Sequence, residues 1–257
     1  ASVSVENETL DLNVDDKYEF NPTVNPSFLA VQYSSSNESV ATVTDYGLLR
    51  AVGEGTAIIT LTVGNDQTYA INTTNVTVKV SKIPTEINLT NATVDLKVLD
   101  EISSGATLTP ADAGNLTYAS GNESVVIVKD GKIIAVGAGK AVITVSFAGD
   151  DKYAPAEDKT VTVTVSLKDA TVTVNNSTLN LFVDDTFTVV ATTSPDGLNV
   201  TFVPDNSGVV SINNKGVVTA LKEGIGNILV KVGGDGVYIE NSTTVNVTVS
   251  KVPTEIE

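Results

Sequence analysis

The chain has 257 residues, 41% of them hydrophobic, a formal net charge of −16, and no Cys, His, Trp or Met. Without Cys there are no disulfides and no thiolate or Cys-ligated metal chemistry, and without His the usual general base near neutral pH is gone. With 15 Lys and Arg against 31 Asp and Glu, the chain lacks the cations that neutralise nucleic-acid phosphates, and no run approaches the roughly 18 apolar residues of a membrane span.

The first predicted element is LDLNVDD from Leu10, a strand that alternates apolar and polar residues and runs into an acidic turn at Asp15 and Asp16. Pro26 follows, then SNESVATV at Ser36–Val43 and GLLRAVGEG from Gly47. The glycines at 53–55 read as a turn rather than a phosphate loop, because a strand follows them instead of a helix. In that strand Ala57, Ile59, Leu61 and Val63 are expected to face inward. Tyr69 reads as a core or corner residue. A last alternating strand, Val76–Val80, leads into SKIPTEI at Ser81–Ile87.

Each landmark then returns. VDLKVLD starts at Val94, with Asp100–Glu101 at the acidic turn, Pro110 next and GNESVVIV at Gly121–Val128. GKIIAVGAG follows from Gly131, then Ala141, Ile143, Val145 and Phe147 as inward residues, Tyr153, and TVTVTV at Thr160–Val165. The third copy has LNLFVDD from Leu179, Asp184–Asp185, Pro195 and NSGVVSI at Asn206–Ile212. It continues with GVVTALKEG from Gly216, the inward set Gly226, Ile228, Val230 and Val232, Tyr238, and Val245–Val249. SKVPTEI at Ser250–Ile256 closes it. The spacing of 84 and 85 residues divides the chain into modules 1–82, 83–167 and 168–250, with 251–257 as the start of a fourth, which marks the chain as a piece of a longer protein.

About seven short strands in roughly 84 residues, punctuated by Gly, Asn, Asp and Pro with no sustained 3.6 period, predict an all-β fold of three tandem sandwiches. The linkers Lys82–Thr85 and Lys251–Thr254 are short, carry Pro and contain no Gly/Ser tract. Together with repulsion between like-charged modules they predict an elongated rod.

The acidic turns admit two chemistries. Asp15, Asp16, Asp100, Glu101, Asp184 and Asp185 are the calcium candidates, since a hard cation takes several carboxylate and carbonyl oxygens. The same residues serve a hairpin turn equally well, and that reading is preferred: no EF-hand spacing is present and the acids recur at every repeat. Asp66, Asp150, Asp151 and Asp235 form a second family of acidic turns, and Glu86 or Glu255 at module junctions is a weaker calcium idea. No cofactor is expected. A catalytic carboxylate pair is built once, in one cleft, whereas these acids fall at repeat-equivalent positions, so no enzyme activity is expected.

The sequence carries 13 N-x-[ST] sequons: Asn7, Asn37, Asn72, Asn75, Asn88, Asn91, Asn115, Asn122, Asn175, Asn176, Asn199, Asn241 and Asn246. Random placement of the same residues gives roughly 5. Dense N-glycosylation of an exported protein explains the excess, as do Asn- and Thr-rich turns and strands that generate N-x-T at little cost.

The run L-x-L-x-V-D-D, Pro, S-N-E-S-V-A-T-V and G-L-L-R-A-V-G-E-G-T-A-I-I-T resembles the bacterial immunoglobulin-like domains of group 2 found in intimin- and invasin-type adhesins. GDDKY at Gly149–Tyr153 is similar to adhesin-like proteins of methanogenic archaea. The resemblance covers the chain three times, and the third module departs most, with Lys222 in place of Gly53 and Gly137. It implies a structural stalk or spacer of a cell-surface, extracellular adhesin-like protein, projecting a distal domain. A self-associating fibre or surface-layer component, with like chains packed laterally, is the first alternative. A module that binds a glycan or a host protein is the second.

Overall fold

A computed structural model describes residues 1–64 and 67–253, and all regular structure among them is β-strand. The first repeat contributes β1 (Ser2–Ser4), β2 (Thr9–Asn13), β3 (Lys17–Glu19), β4 (Thr23–Asn25), β5 (Gln32–Ser35), β6 (Ala41–Val43), β7 (Leu48–Ala51), β8 (Gly55–Val63) and β9 (Asn72–Ser81). They form a four-stranded sheet in the order β2-β9-β8-β5, a three-stranded sheet β3-β7-β6 and a pair β1-β4.

The second repeat builds the same three sheets from β10 (Glu86–Leu89), β11 (Thr93–Lys97), β12 (Glu101–Ser103), β13 (Ala106–Thr109), β14 (Thr117–Ser120), β15 (Val126–Lys129), β16 (Lys132–Ala135), β17 (Gly139–Ser146) and β18 (Lys159–Ser166). The third does so from β19 (Thr171–Val174), β20 (Thr178–Phe182), β21 (Thr186–Thr188), β22 (Ala191–Ser194), β23 (Thr201–Pro204), β24 (Val210–Ile212), β25 (Val217–Ala220), β26 (Gly224–Val232) and β27 (Asn241–Ser250). The fold is therefore three tandem immunoglobulin-like β-sandwiches.

Among the described residues each repeat has nine strands where the sequence suggested about seven. One cause is that the first strand breaks and changes sheet. Val3 on β1 pairs with Val24 on β4, whereas Leu10 on β2 pairs with Val78 on β9. The polar stretch Glu6–Glu8 between them is exposed and supplies the break.

By contact density the chain forms two compact units. One is Ala1–Thr90 with Gly105–Tyr118 and Thr144–Thr160; the other is Asn91–Ser104 with Ala119–Ile143 and Val161–Glu257. The first unit holds a core of Leu10, Phe20, Leu49, Ala57, Ile59, Leu61, Val63, Val76 and Val78. In the second unit the third repeat packs Val172, Leu179, Val189, Val218, Ile228, Val230, Val245 and Val247. The alternation read from sequence is the cause: along β8 the inward residues are buried while Thr56 and Ile58 between them are exposed. Each buried Leu or Ile contributes about 1.5–3 kcal/mol by leaving water.

The three repeated prolines end cis peptide bonds, Asn25–Pro26, Thr109–Pro110 and Ser194–Pro195. Gly55, Gly139 and Gly224 open the inner strand of each four-stranded sheet at φ 147° to 148°. A Cβ there would lie 2.8–2.9 Å from Val40, Val125 and Val209 respectively. Glycine is thus required twice over, by conformation and by the close approach of a core valine.

Candidate functional site

The acidic turns have one structure, three times. Asp15, Leu99 and Asp184 occupy the left-handed region at φ 73°, 69° and 72°. The next residue is Asp16, Asp100 or Asp185, and its Oδ2 accepts the amide of Asn13, Lys97 or Phe182 at 2.8, 3.0 and 2.8 Å. The backbone ties the turn to the three-stranded sheet in the same way each time: Asp15 and Ala51, Leu99 and Ala135, and Asp184 and Ala220 each make the same amide-to-carbonyl bond at 2.9–3.0 Å. Asp100 is therefore the counterpart of Asp16 and Asp185, Leu99 stands where the other copies have aspartate, and Glu101 lies beyond the turn at the head of β12.

Three of the acids also face lysine or arginine. Asp15 accepts from Arg50 Nη2 at 2.9 Å and from Lys152 Nζ at 3.0 Å, both within the first unit. These two cations, Arg50 before Lys152, hold its carboxyl below the usual aspartate range. Asp100 lies 3.6 Å from Lys168 Nζ, and Lys97 pairs with Asp169, all in the second unit. Glu101 pairs with Lys132 at 2.6 Å, which raises the lysine above its ordinary value. Asp184 has no ion-pair partner among the described residues. Of the six calcium candidates, Asp16, Asp100 and Asp185 thus cap their own turns, and Asp15, Asp100 and Glu101 face cationic side chains. Among the described residues no three acids gather closely enough to hold a metal ion.

The second acidic family caps turns as well. Asp150 Oδ1 accepts the amides of Lys152 and Tyr153 at 2.8 and 2.7 Å, and Asp235 Oδ1 those of Val237 and Tyr238, each at 2.9 Å. These amides depress both carboxyls, that of Tyr153 leading for Asp150 and that of Tyr238 for Asp235. Asp66 and Glu255 lie outside the described residues. Of the repeated tyrosines, Tyr153 is buried, while Tyr69 and Tyr238 are half-buried. The Tyr153 hydroxyl donates to the side chain of Asp112 at 2.9 Å, rather than to backbone as a tyrosine corner does.

The chain entering the second module at Ile83 and the third at Lys168 pairs with the tyrosine loop of that module, a contact the sequence reading did not include. Ile83 takes the amide of Ala154 and gives its own to Lys152 O, and Lys168 does the same with Ile239 and Val237. The recurring 70-residue separation of these partners was the available clue.

The sequon asparagines divide by role. Asn72 and Asn241 are half-buried and accept the amides of Val3 and Val172 at 3.0 and 3.2 Å. Asn88 and Asn175 spend Nδ2 on Thr109 Oγ1 and Thr188 O, and Asn75 accepts from Thr60 Oγ1 at 2.9 Å. Asn37 and Asn122 cap loops through Oδ1. Asn7, Asn91, Asn115, Asn176, Asn199 and Asn246 are exposed.

Among curated protein sequences none matches the chain. Solved structures that align with it include Drosophila N-cadherin EC1-3, at 12% identity over 96% of this chain and 98% of that one, TM-score 0.34. Mouse protocadherin-24 EC1-3 aligns at 14% identity over 97% and 98%, TM-score 0.37, and the surface layer protein SbsC, domains 1-6, at 21% identity over 99% and 40%, TM-score 0.29. The family model of the bacterial Ig-like domain (group 2) matches residues 1–73, and the first repeat of this chain is a domain of that family.

Proposed function

We propose that the chain is a non-catalytic spacer of a cell-surface, adhesin-like protein, made of modules 1–82, 83–167 and 168–250 and holding a distal domain away from the envelope. The observation that carries this reading is the pairing of the first long strand of each repeat with the last. β2 runs parallel to β9 from Thr9↔Thr77 to Asn13↔Ser81, β11 to β18 from Thr93↔Thr162 to Lys97↔Ser166, and β20 to β27 from Thr178↔Asn246 to Phe182↔Ser250. In a parallel pair the start of one strand and the end of the other lie at opposite ends of the ladder. The chain therefore enters each module at one end and leaves at the other, as a tandem spacer requires. Repetition favours the reading too, since the acidic turns recur in all three copies, whereas a catalytic centre is built once.

Small-angle scattering of the monomer tests the spacing. Three modules of about 30–40 Å in line give a radius of gyration of about 26–35 Å, whereas one compact body of this length gives about 18 Å. The lower value overturns the spacer. Surface labelling of intact cells with an antibody to the chain tests its location, and labelling only after lysis counts against it.

A further inference from the structure

We propose that Asn37 and Asn122 carry N-linked glycans whose first sugar packs its apolar face on Ile58 and Val142. The proposal rests on the exported location argued above and selects two of the 13 sequons.

The two loops are built alike. Asn37 Oδ1 accepts the amide of Ser39 at 3.1 Å and its hydroxyl at 2.7 Å. Asn122 Oδ1 accepts the same groups of Ser124 at 3.2 and 2.6 Å. Ser35 and Ser120 accept the asparagine amides with their hydroxyls, each at 3.2 Å. The side-chain oxygen is thus committed, while among the described residues Nδ2 has no hydrogen-bond partner in either loop. Nδ2 is the atom that a glycan modifies.

The strand residue bonded to the position before each asparagine is aliphatic and exposed. The residue before Asn37, Ser36, gives its amide to Ile58 O at 2.9 Å, and the residue before Asn122, Gly121, gives its amide to Val142 O at 2.8 Å. Ile58 and Val142 are 43% and 45% exposed. Beside Asn122 a groove of about 420 Å³ is lined by Gly121, Asn122, Lys140, Ala141, Val142 and Thr162.

The third repeat supplies the internal comparison. There Asn206 stands at the place of Asn37 and Asn122, but Gly208 replaces Ser39 and Ser124, so the sequon hydroxyl is gone, and the amide and hydroxyl of Ser207 are taken by Oδ1 of Asp205, one residue earlier, at 3.1 and 2.5 Å. The strand position that takes the Asp205 amide, occupied by Ile58 and Val142 in the other copies, is Asn227. Where the sequon is lost, the exposed aliphatic residue is lost as well. Turn capping alone explains the asparagine but leaves Ile58 and Val142 without a reason. A sugar ring has one face of C–H groups, and an aliphatic side chain at its edge removes that face from water.

The chemistry is a transfer from an activated sugar phosphate, catalysed by a transferase. Nδ2 attacks C1 of the sugar, the C1–O bond to phosphate breaks with its electron pair leaving on the phosphate, a C1–N bond forms, and Nδ2 loses one proton.

The test is secretion of the full chain, behind an added leader, from an N-glycosylating host, with site occupancy read by peptide mass spectrometry. Supplying the leader separates the sites from the native location, which the cell-labelling experiment reads. Asn37 and Asn122 should both be occupied. Preventing attachment with Asn37→Asp and Asn122→Asp, which keep the Oδ1 that caps Ser39 and Ser124, should lower the melting temperature by about 4 °C. That loss should shrink by at least half when the aspartate changes are made in an Ile58→Thr, Val142→Thr background. Absence of glycan at both sites in a host that modifies other sequons of the chain overturns the proposal, as does an unchanged loss in the threonine background.

Discussion

Leu99 offers a perturbation with a sign opposite to most substitutions. It holds φ 69° at the place where the other repeats have Asp15 at 73° and Asp184 at 72°. For a leucine the left-handed region costs about 1–2 kcal/mol, because Cβ crowds the following carbonyl oxygen, whereas Asn and Asp offset much of this with local hydrogen bonds. The side chain is 65% exposed, so its removal forfeits little burial. Leu99→Asn should therefore stabilise the second repeat by about 1 kcal/mol, or about 4–8 °C in melting temperature for a domain of this size. The converse change, Asp184→Leu, should cost the third repeat about as much, and among the described residues Asp184 has no ion pair to confuse the result. Hydrogen exchange with mass spectrometry on the whole chain reads each repeat separately: peptides covering 126–145 should exchange about fivefold more slowly in Leu99→Asn, while those from 55–63 stay unchanged. Faster exchange, or the same slowing in every repeat, would refute the reasoning.

Gly139→Ala forces a Cβ to 2.9 Å from Val125 at φ 148° and should cost about 2–4 kcal/mol, read by urea unfolding; a loss below about 1 kcal/mol contradicts the close approach. Leu10 is 8% exposed in the first core, and Leu10→Asp should lower that repeat's stability by about 3 kcal/mol or more, whereas Leu12→Asp, at a half-buried site, should cost less; the reverse order would misplace the register. Asp150 is depressed by the Tyr153 and Lys152 amides, so its contribution is present above about pH 4 and is lost as pH falls through the lowered value. The stability gap between the wild-type chain and Asp150→Ala should thus close as pH falls below about 4, and a gap that widens on acidification contradicts the assignment. Chelation with EDTA should move melting by less than about 3 °C, and a larger drop reversed by calcium restores the acidic turns as metal sites.

The repeat, the inward alternation and the turn role of the acids were legible in the sequence because each depends on local chemistry: period-2 burial, Asp in tight turns, Gly where φ is positive. What was not legible depends on partners far along the chain. The pairing of Asp15 with Lys152 spans 137 residues, and nothing beside Asp15 announces it. The correspondence of Leu99 with Asp15 was hidden because an adjacent Asp100–Glu101 imitates the acidic pair. Splitting of the first strand between two sheets was missed for a similar reason, since both halves alternate in the same way and only the register shows that they face different partners. The sequons were countable, but the division among Asn72, Asn88 and Asn122 follows from which side-chain atom is already bonded.

Pulling a single molecule by its two ends tests the spacer most directly, and two cysteines can serve as unique handles because the chain has none. Tension between the ends of a module shears the parallel ladder of β2 and β9, and its equivalents, so that the hydrogen bonds share the load. Each repeat should then open as a separate event, three in all, each releasing about 250 Å of chain. Handles at Thr56 and Lys79, which are paired neighbours across β8 and β9, should instead unzip that ladder bond by bond at a force several-fold lower. A single event releasing the whole chain, or equal forces in the two geometries, would contradict the account.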